Sequence, residues 1–244
     1  MTPRRLLLDA GNSRLKWALV EGARWLSQGQ ADYADLSGLS AVLTPGTRAY
    51  VASVTRDENA IRLRVCLEQA NVPARWLSAG ERFDDVENGY AQPAQLGVDR
   101  WMALIGARKR TQSACLVVSA GTAVTIDAMT ATGRFIGGLI VPGKALMRGA
   151  LQAGTARVGT GSGNWRDFPR STEDAVESGL VAALAGAIAA QYARLAAQSA
   201  EAPRCLVSGG DAEWLLPHLA VPAEPAPALV LEGLDCVARK EDAV

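Results

Sequence analysis

Asp9 closes the apolar run Leu6-Leu7-Leu8 and opens the turn Ala10-Gly11-Asn12-Ser13-Arg14, which passes through Leu15 to Lys16. A strand that runs into a glycine turn leaves backbone N–H groups pointing outward, and the missing side chain lets a ligand come close to them, which suits phosphate. Asp9 can hold a hydrated divalent cation, while Asn12, Ser13 and Lys16 add donors and a positive charge. That set suits the phosphate tail of a nucleotide with its magnesium. The same turn types are also ordinary hairpin chemistry, so this segment alone does not decide. A second turn, Ser119-Ala120-Gly121-Thr122-Ala123, and a third glycine motif, Ser208-Gly209-Gly210-Asp211, repeat the theme. Two such turns facing each other across a cleft would clamp a triphosphate from both sides. A different constellation lies at Asn88-Gly89-Tyr90 and Leu96-Gly97-Val98-Asp99-Arg100-Trp101. Asp99, expected at a helix start, serves either as a cap or as the base that takes a proton from a hydroxyl acceptor, and Arg100 can pair with an anionic end of a substrate. The single histidine, His218, sits beside a proline with no evident partner and is expected at the surface.

The elements that position these residues form a repeat. Leu6–Asp9, the stretch through Leu15, Trp17 and Leu19, and Arg24–Gln30 read as strand, turn, strand, strand. Leu116–Ser119, the stretch through Val124, Ile126 and Ala128, and Arg134–Ile140 read the same way, with Ala120 and Gly121 in the places of Ala10 and Gly11. One architecture occurs twice, which suggests two lobes, 1–108 and 109–244. The first continues with a strand over Ala49–Val54, a helix over Asn59–Asn71 and a strand over Ala74–Ser78. The second continues with a long helix over Ser171–Gln198, a strand at Arg204–Ser208, a connector at Pro217–Pro227 and a last strand at Leu229–Leu231. Ser171-Thr172-Glu173-Asp174 supplies a hydroxyl cap and first-turn acids for the long helix. Its small residues Gly179, Ala183, Gly186 and Ala190 share a face that suits either internal packing or a dimer seam.

Composition narrows the field. The 244 residues are 49% hydrophobic but only 5% aromatic, so Leu, Val and Ala must build an α/β core. Lys+Arg 25 against Asp+Glu 25 leaves no net charge and no basic block, which argues against nucleic acid and a membrane surface as partners. The four cysteines form no CxxC and point to neither zinc nor a disulfide framework. Asp9 interrupts the N-terminal apolar run too early for a signal peptide, and the longest apolar helical stretch, Leu180–Ala190, is shorter than the ~20 residues a bilayer requires. The expected location is the cytoplasm.

Taken together, Asp9-Ala10-Gly11-Asn12-Ser13-Arg14, Gly97-Val98-Asp99-Arg100, Ala120-Gly121-Thr122-Ala123 and Ser208-Gly209-Gly210-Asp211 resemble, in order and spacing, the type III pantothenate kinases, also described as the Bvg accessory factor family. The resemblance spans nearly the whole chain. It implies an α/β protein of two ribonuclease-H-like lobes in the acetate and sugar kinase, Hsp70 and actin superfamily, usually a homodimer. It implies ATP-dependent phosphorylation of pantothenate to 4'-phosphopantothenate, the first step towards coenzyme A, with magnesium. By position, Asp9, Ala10, Gly11, Asn12, Ser13, Arg14, Leu15 and Lys16 would form the first ATP-phosphate loop, and Gly121 and Thr122 the second. Asp99 would accept the proton of the pantothenate hydroxyl. Tyr90, Gly97, Val98, Asp99, Arg100 and Thr172 would line the pantothenate site. The family carries Asp-x-Gly-Thr at the second turn, and that carboxylate is associated with a monovalent cation, ammonium or potassium. Here the position is Ser119, a neutral hydroxyl, which puts the cation requirement in question; Asp127 is a different position. Two alternatives stay open: a nucleotide-binding regulatory or accessory protein with weak or no kinase activity, and a related kinase acting on another small hydroxyl compound.

Overall fold

The apolar run at the start of the chain becomes the centre of a sheet. In the computed structural model, which describes residues 4–44, 46–155, 158 and 161–243, β1 (Arg4–Ala10) pairs antiparallel with β2 (Leu15–Glu21), and β2 with β3 (Arg24–Ala31). After the short α1 (Ser37–Ser40), β4 (Thr47–Ser53) joins β1 in parallel. The helix α2 (Asp57–Gln69) then leads to β5 (Ala74–Trp76), parallel to β4, so the strand order is β3-β2-β1-β4-β5. Leu6, Leu7, Leu8 and Ala10 are fully buried, as a central strand covered on both faces requires. A small hairpin, β6 (Arg82–Phe83) and β7 (Val86–Asn88), precedes α3 (Val98–Arg110).

The second set of strands repeats this order. β8 (Cys115–Ala120), β9 (Ala123–Met129) and β10 (Arg134–Pro142) form an antiparallel meander. Then come α4 (Lys144–Gly154), α5 (Thr172–Ala196), β11 (Arg204–Ser208), α6 (Ala212–Leu215) and β12 (Glu224–Pro225). β11 is parallel to β8 and β12 to β11, so β10-β9-β8-β11-β12 matches β3-β2-β1-β4-β5 strand for strand. The duplication read from the two glycine turns is therefore a duplication of topology.

Two points correct the expectations. Packing divides the chain into Met1–Arg110 with Ala228–Val244, and Thr111–Pro227. The first boundary falls close to the suggested 108, but the C-terminal segment belongs with the first unit. Leu229–Leu231 is not a strand; it begins a helix, Leu229–Asp242, whose Leu229, Leu231, Leu234 and Ala238 are buried. Three successive apolar residues carry no period, and burial against α3 decides for helix. The helices touch through glycine: a Cβ on Gly233 would lie 1.9 Å from the Met102 carbonyl oxygen, and one on Gly106 2.2 Å from that of Leu229. Ionic contacts complete the attachment. Arg5 of β1 donates to Asp242 at 2.9 Å and stands 3.6 Å from the fully buried Asp235, which also pairs with Arg239 at 2.7 Å.

The helix α5 also differs from expectation. It has 25 residues, and its mean hydropathy reaches 1.4 over an 18-residue window, so by length and composition alone it is long and apolar enough to cross a membrane. Its Leu184, Ile188 and Leu195 lie in the core of the second unit with Val118, Ile126 and Val207. The opposite face, with Gly179, Ala183, Gly186 and Ala190, is exposed, so the small residues do not serve packing within this unit.

Candidate active site

In the first unit the β1–β2 turn is held from outside the hairpin. Asp9 faces Lys16 in the antiparallel register, and Tyr33 donates its hydroxyl to the Gly11 carbonyl at 2.8 Å. Burial pushes the Tyr33 hydroxyl up to about 12, so it stays a donor throughout the ordinary pH range. Asn12, Ser13 and Arg14 are exposed at the tip. Ala10 and Leu15 belong to the core, so only their backbone can serve a ligand. Burial pushes the Asp9 carboxyl up to about 6; Lys16 opposes the rise and Asp99 adds to it. A carboxylate destabilised in this way is relieved by a cation, which fits a divalent ion carried in by nucleotide phosphates. Among the described residues no group of three or more His, Cys, Asp or Glu is placed to hold a metal.

Asp99 occupies the first turn of α3 rather than the cap position, which falls to Gly97; Trp101 donates to the Gly97 carbonyl at 3.0 Å. The Asp99 Oδ1 accepts from the Arg100 N–H at 2.8 Å. Burial raises its pKa, against the pull of the Arg100 N–H and guanidinium. A carboxylate whose pKa is raised by burial is a stronger base than an exposed one and so better suited to receiving a hydroxyl proton. Gly97 makes room for it: a Cβ there would lie 2.7 Å from Asp99 Oδ1. The neighbouring residues are fixed in turn. Asn88, buried, donates to the Gly80 and Pro93 carbonyls at 3.0 and 3.1 Å and accepts from the Tyr90 N–H at 3.1 Å. Tyr90 accepts from Arg100 Nη1 at 3.0 Å, and the guanidinium lies 5.7 Å from the Tyr90 ring centroid. Val98 is buried and contributes packing. The first unit thus brings Asp9, Lys16 and Asp99 into electrostatic contact and ties Tyr90 to Arg100. Asn88 is the positioning residue whose part the motif did not reveal.

In the second unit two loops converge on the turn at Gly121–Thr122. Gly121 donates to the Ala123 carbonyl at 3.1 Å, and Gly143, between β10 and α4, donates to the Thr122 carbonyl at 2.9 Å. A Cβ at Gly143 would stand 2.0 Å from the Gly121 oxygen. From the loop after β11, Asp211 donates to the Ala120 carbonyl at 3.0 Å, and Gly209 has a φ of 102° with its Cβ position 2.1 Å from that oxygen. Pro142-Gly143-Lys144 is a part of this edge that motif reading missed, although a Pro-Gly pair after a strand is a loop signal. Ser119 faces Thr125 across β9 and Ser208 across β11, whereas Asp127 faces Val117. Thr172 opens α5, exposed, behind the Ser171 cap, whose hydroxyl accepts from Asp174 at 3.1 Å. His218 is not a bare surface residue: it is half-buried, 5.4 Å from the Trp165 ring and 6.3 Å from Trp214.

A sequence model of type III pantothenate kinase matches residues 5–194. The chain belongs to that family. The type III pantothenate kinase of Thiobacillus denitrificans is 53% identical over 235 residues, covering 96% of each chain. A Baf family protein of Campylobacter jejuni superposes with a TM-score of 0.64 at 20% identity, covering 98% of this chain and all of that one. MreB5 of Spiroplasma citri bound to ADP superposes at 0.52 and 10% identity, with 98% and 97% covered. The fold of this pantothenate kinase family member is that of the sugar kinase, Hsp70 and actin superfamily, and each unit has its ribonuclease-H-like strand order.

Proposed function

We propose that this member of the type III pantothenate kinase family transfers the γ-phosphoryl group of ATP to the primary hydroxyl of pantothenate, giving 4'-phosphopantothenate and ADP. The observation that carries the assignment of roles is Asp99: a largely buried carboxylate of raised pKa on a helix start, beside Arg100 and Tyr90. The hydroxyl oxygen forms the new bond to phosphorus as the bond to the ADP oxygen breaks, and its proton passes to Asp99. The turn from Asp9 to Lys16 and the turn at Gly121–Thr122 take the phosphates, with magnesium neutralising charge when bound. Tyr90, Gly97, Val98, Arg100 and Thr172 receive pantothenate, Arg100 facing its carboxylate. Ser119 brings no charge to the second turn, which puts the potassium or ammonium requirement implied by the family in question. The exposed small-residue face of α5 is the seam of a homodimer, and the protein works in the cytoplasm, with no nucleic acid or membrane as partner. The reading as an accessory protein rested on Ser119 alone and is not favoured in a chain that matches the kinases across its length.

The test is ADP release with ATP, magnesium and pantothenate, with and without potassium or ammonium. Asp99→Asn is expected to lower turnover by ~10² or more while ATP binding stays nearly intact. Turnover in Asp99→Asn equal to that of the parent protein removes Asp99 from the role, and a requirement for either cation removes the reading of Ser119. Light scattering of the same sample reads the dimer.

A further inference from the structure

Glu177 lies on α5, outside every motif considered above, and its residue is only 6% exposed. Its carboxylate gathers donors from two other elements. Oε1 accepts from Trp214 Nε1 of α6 at 2.9 Å and stands 3.1 Å from Lys144 Nζ at the start of α4. Oε2 takes the guanidinium of Arg148, one turn further along α4. Lys144 also lies over the Trp214 ring, 4.2 Å from its centroid, so α4 and α6 meet on this carboxylate. The carboxyl is held below the usual range: burial works against this, and the hydrogen bonds from Lys144 and Trp214, with the charges of Lys144 and Arg148, outweigh it.

The elements tied by Glu177 are the two whose leading loops rest on the Gly121–Thr122 turn. Gly143, immediately before Lys144, bonds to Thr122, and Asp211, immediately before α6, bonds to Ala120. We infer that Glu177 is a positioning residue for nucleotide binding: it locks α4 and α6 together and so holds the Pro142–Lys144 and Ser208–Asp211 loops against the second turn. The inference rests on the reading that this turn receives ATP phosphate. α5 itself is placed by Leu184, Ile188 and Leu195 in the core, so losing the carboxylate loosens the edge rather than the unit. Without it, Lys144 and Arg148 are left one turn apart as like charges with no anion to separate them.

The experiment combines calorimetric titration of magnesium-ATP with steady-state kinetics in both substrates, on the parent protein and on Glu177→Ala, Glu177→Gln and Arg148→Met. Glu177→Ala is expected to weaken ATP binding and raise KM for ATP by ~10-fold or more, because displacements of about an ångström in a positioning shell have effects of that size. KM for pantothenate should rise clearly less than KM for ATP, since Asp99, Tyr90 and Arg100 belong to the other unit and, of the residues proposed to receive pantothenate, Thr172 alone shares α5 with Glu177. Glu177→Gln, which keeps an acceptor for Trp214 but no charge for Lys144 and Arg148, should recover part of the loss. A folded Glu177→Ala with unchanged ATP affinity overturns the inference, as do equal rises in both KM values. If Glu177→Ala does not fold, unchanged ATP affinity in both Glu177→Gln and Arg148→Met overturns it instead. Parent protein that binds no ATP overturns the reading of the turn itself, which is a separate outcome.

Discussion

Adding one methyl group at Gly97 tests whether the aim of Asp99, and not merely its presence, matters for turnover. A Cβ at position 97 would stand 2.7 Å from Asp99 Oδ1, and ordinary contact begins at 3.4 Å, so the carboxylate must retreat by about 0.7 Å. The remaining neighbours, Asp99 Cγ and Arg100 Cδ, stand at 3.9 Å, so α3 itself need not move. Gly97 is not among the glycines of positive φ, and alanine can therefore take its backbone conformation. Turning Asp99 off its rotamer costs ~0.5–1.5 kcal/mol, while the stiffer unfolded chain returns ~0.4–1 kcal/mol. Stability should change by less than ~1 kcal/mol, a shift in Tm of only a few degrees. Catalysis is far less tolerant, because a misplacement approaching 1 Å costs up to ~10²-fold in rate. Gly97→Ala should thus fold, bind ATP as the parent does and lose ~10- to 100-fold in kcat, read by coupled ADP release beside thermal unfolding and ATP calorimetry. Unchanged kcat refutes the role of Gly97 in aiming the base. A fall in Tm of ten degrees or more, at about 2–4 °C per kcal/mol, places the penalty in the helix instead.

Asp9 gives a pH test. Its pKa stands at about 6 against an ordinary 3.8, so between those values the folded protein keeps a proton that the unfolded chain has already released. Stability therefore falls as pH rises through that window and stays reduced above it, by up to about 3 kcal/mol. Asp9→Asn should reduce this slope, leaving the part that the raised Asp99 carboxyl contributes, gain ~1–3 kcal/mol at pH 7 and lose most activity; urea unfolding across pH 4 to 7 checks it, and an unchanged slope refutes it. Where α3 crosses the C-terminal helix, Gly233→Ala sets a methyl 1.9 Å from the Met102 carbonyl oxygen, and backbone cannot swing aside. It should destabilise the first unit by ~1–3 kcal/mol or more in urea, and an unfolding midpoint equal to that of the parent protein would contradict the packing.

The strands were legible because each meander is announced by a short apolar run, a glycine turn and alternation, signals that need no tertiary context. Leu229–Leu231 was not legible, since three apolar residues fit a buried strand or a helix start equally well. What decides is burial against α3, a segment more than a hundred residues earlier in the chain, with Asp235, one turn on, set beside Arg5 from the opposite end. Asp99 was legible as a candidate from its neighbours in sequence. The reason for Gly97 was not, because it is a distance to one oxygen atom. Glu177 was invisible as anything but one polar position on a long apolar helix, since its partners come from two segments that carry no shared pattern.

The two copies also show why motif reading found more chemistry in the first than in the second. In the strand register Asp9, paired with Lys16, corresponds to Ser119, paired with Thr125, so the first hairpin carries an anion and a cation at these two positions and the second carries neither. Thr125, at the place of Lys16, is a buried neutral hydroxyl. Charge beside the second turn comes from α4 instead, where Lys144 follows the glycine bonded to Thr122 and is held by Glu177. A duplicated fold has kept its strand order while moving its charges from the strands of one copy to a helix of the other. A reader of turns alone therefore finds the backbone of the second turn, proposed to take phosphate, but not the side chains that support it.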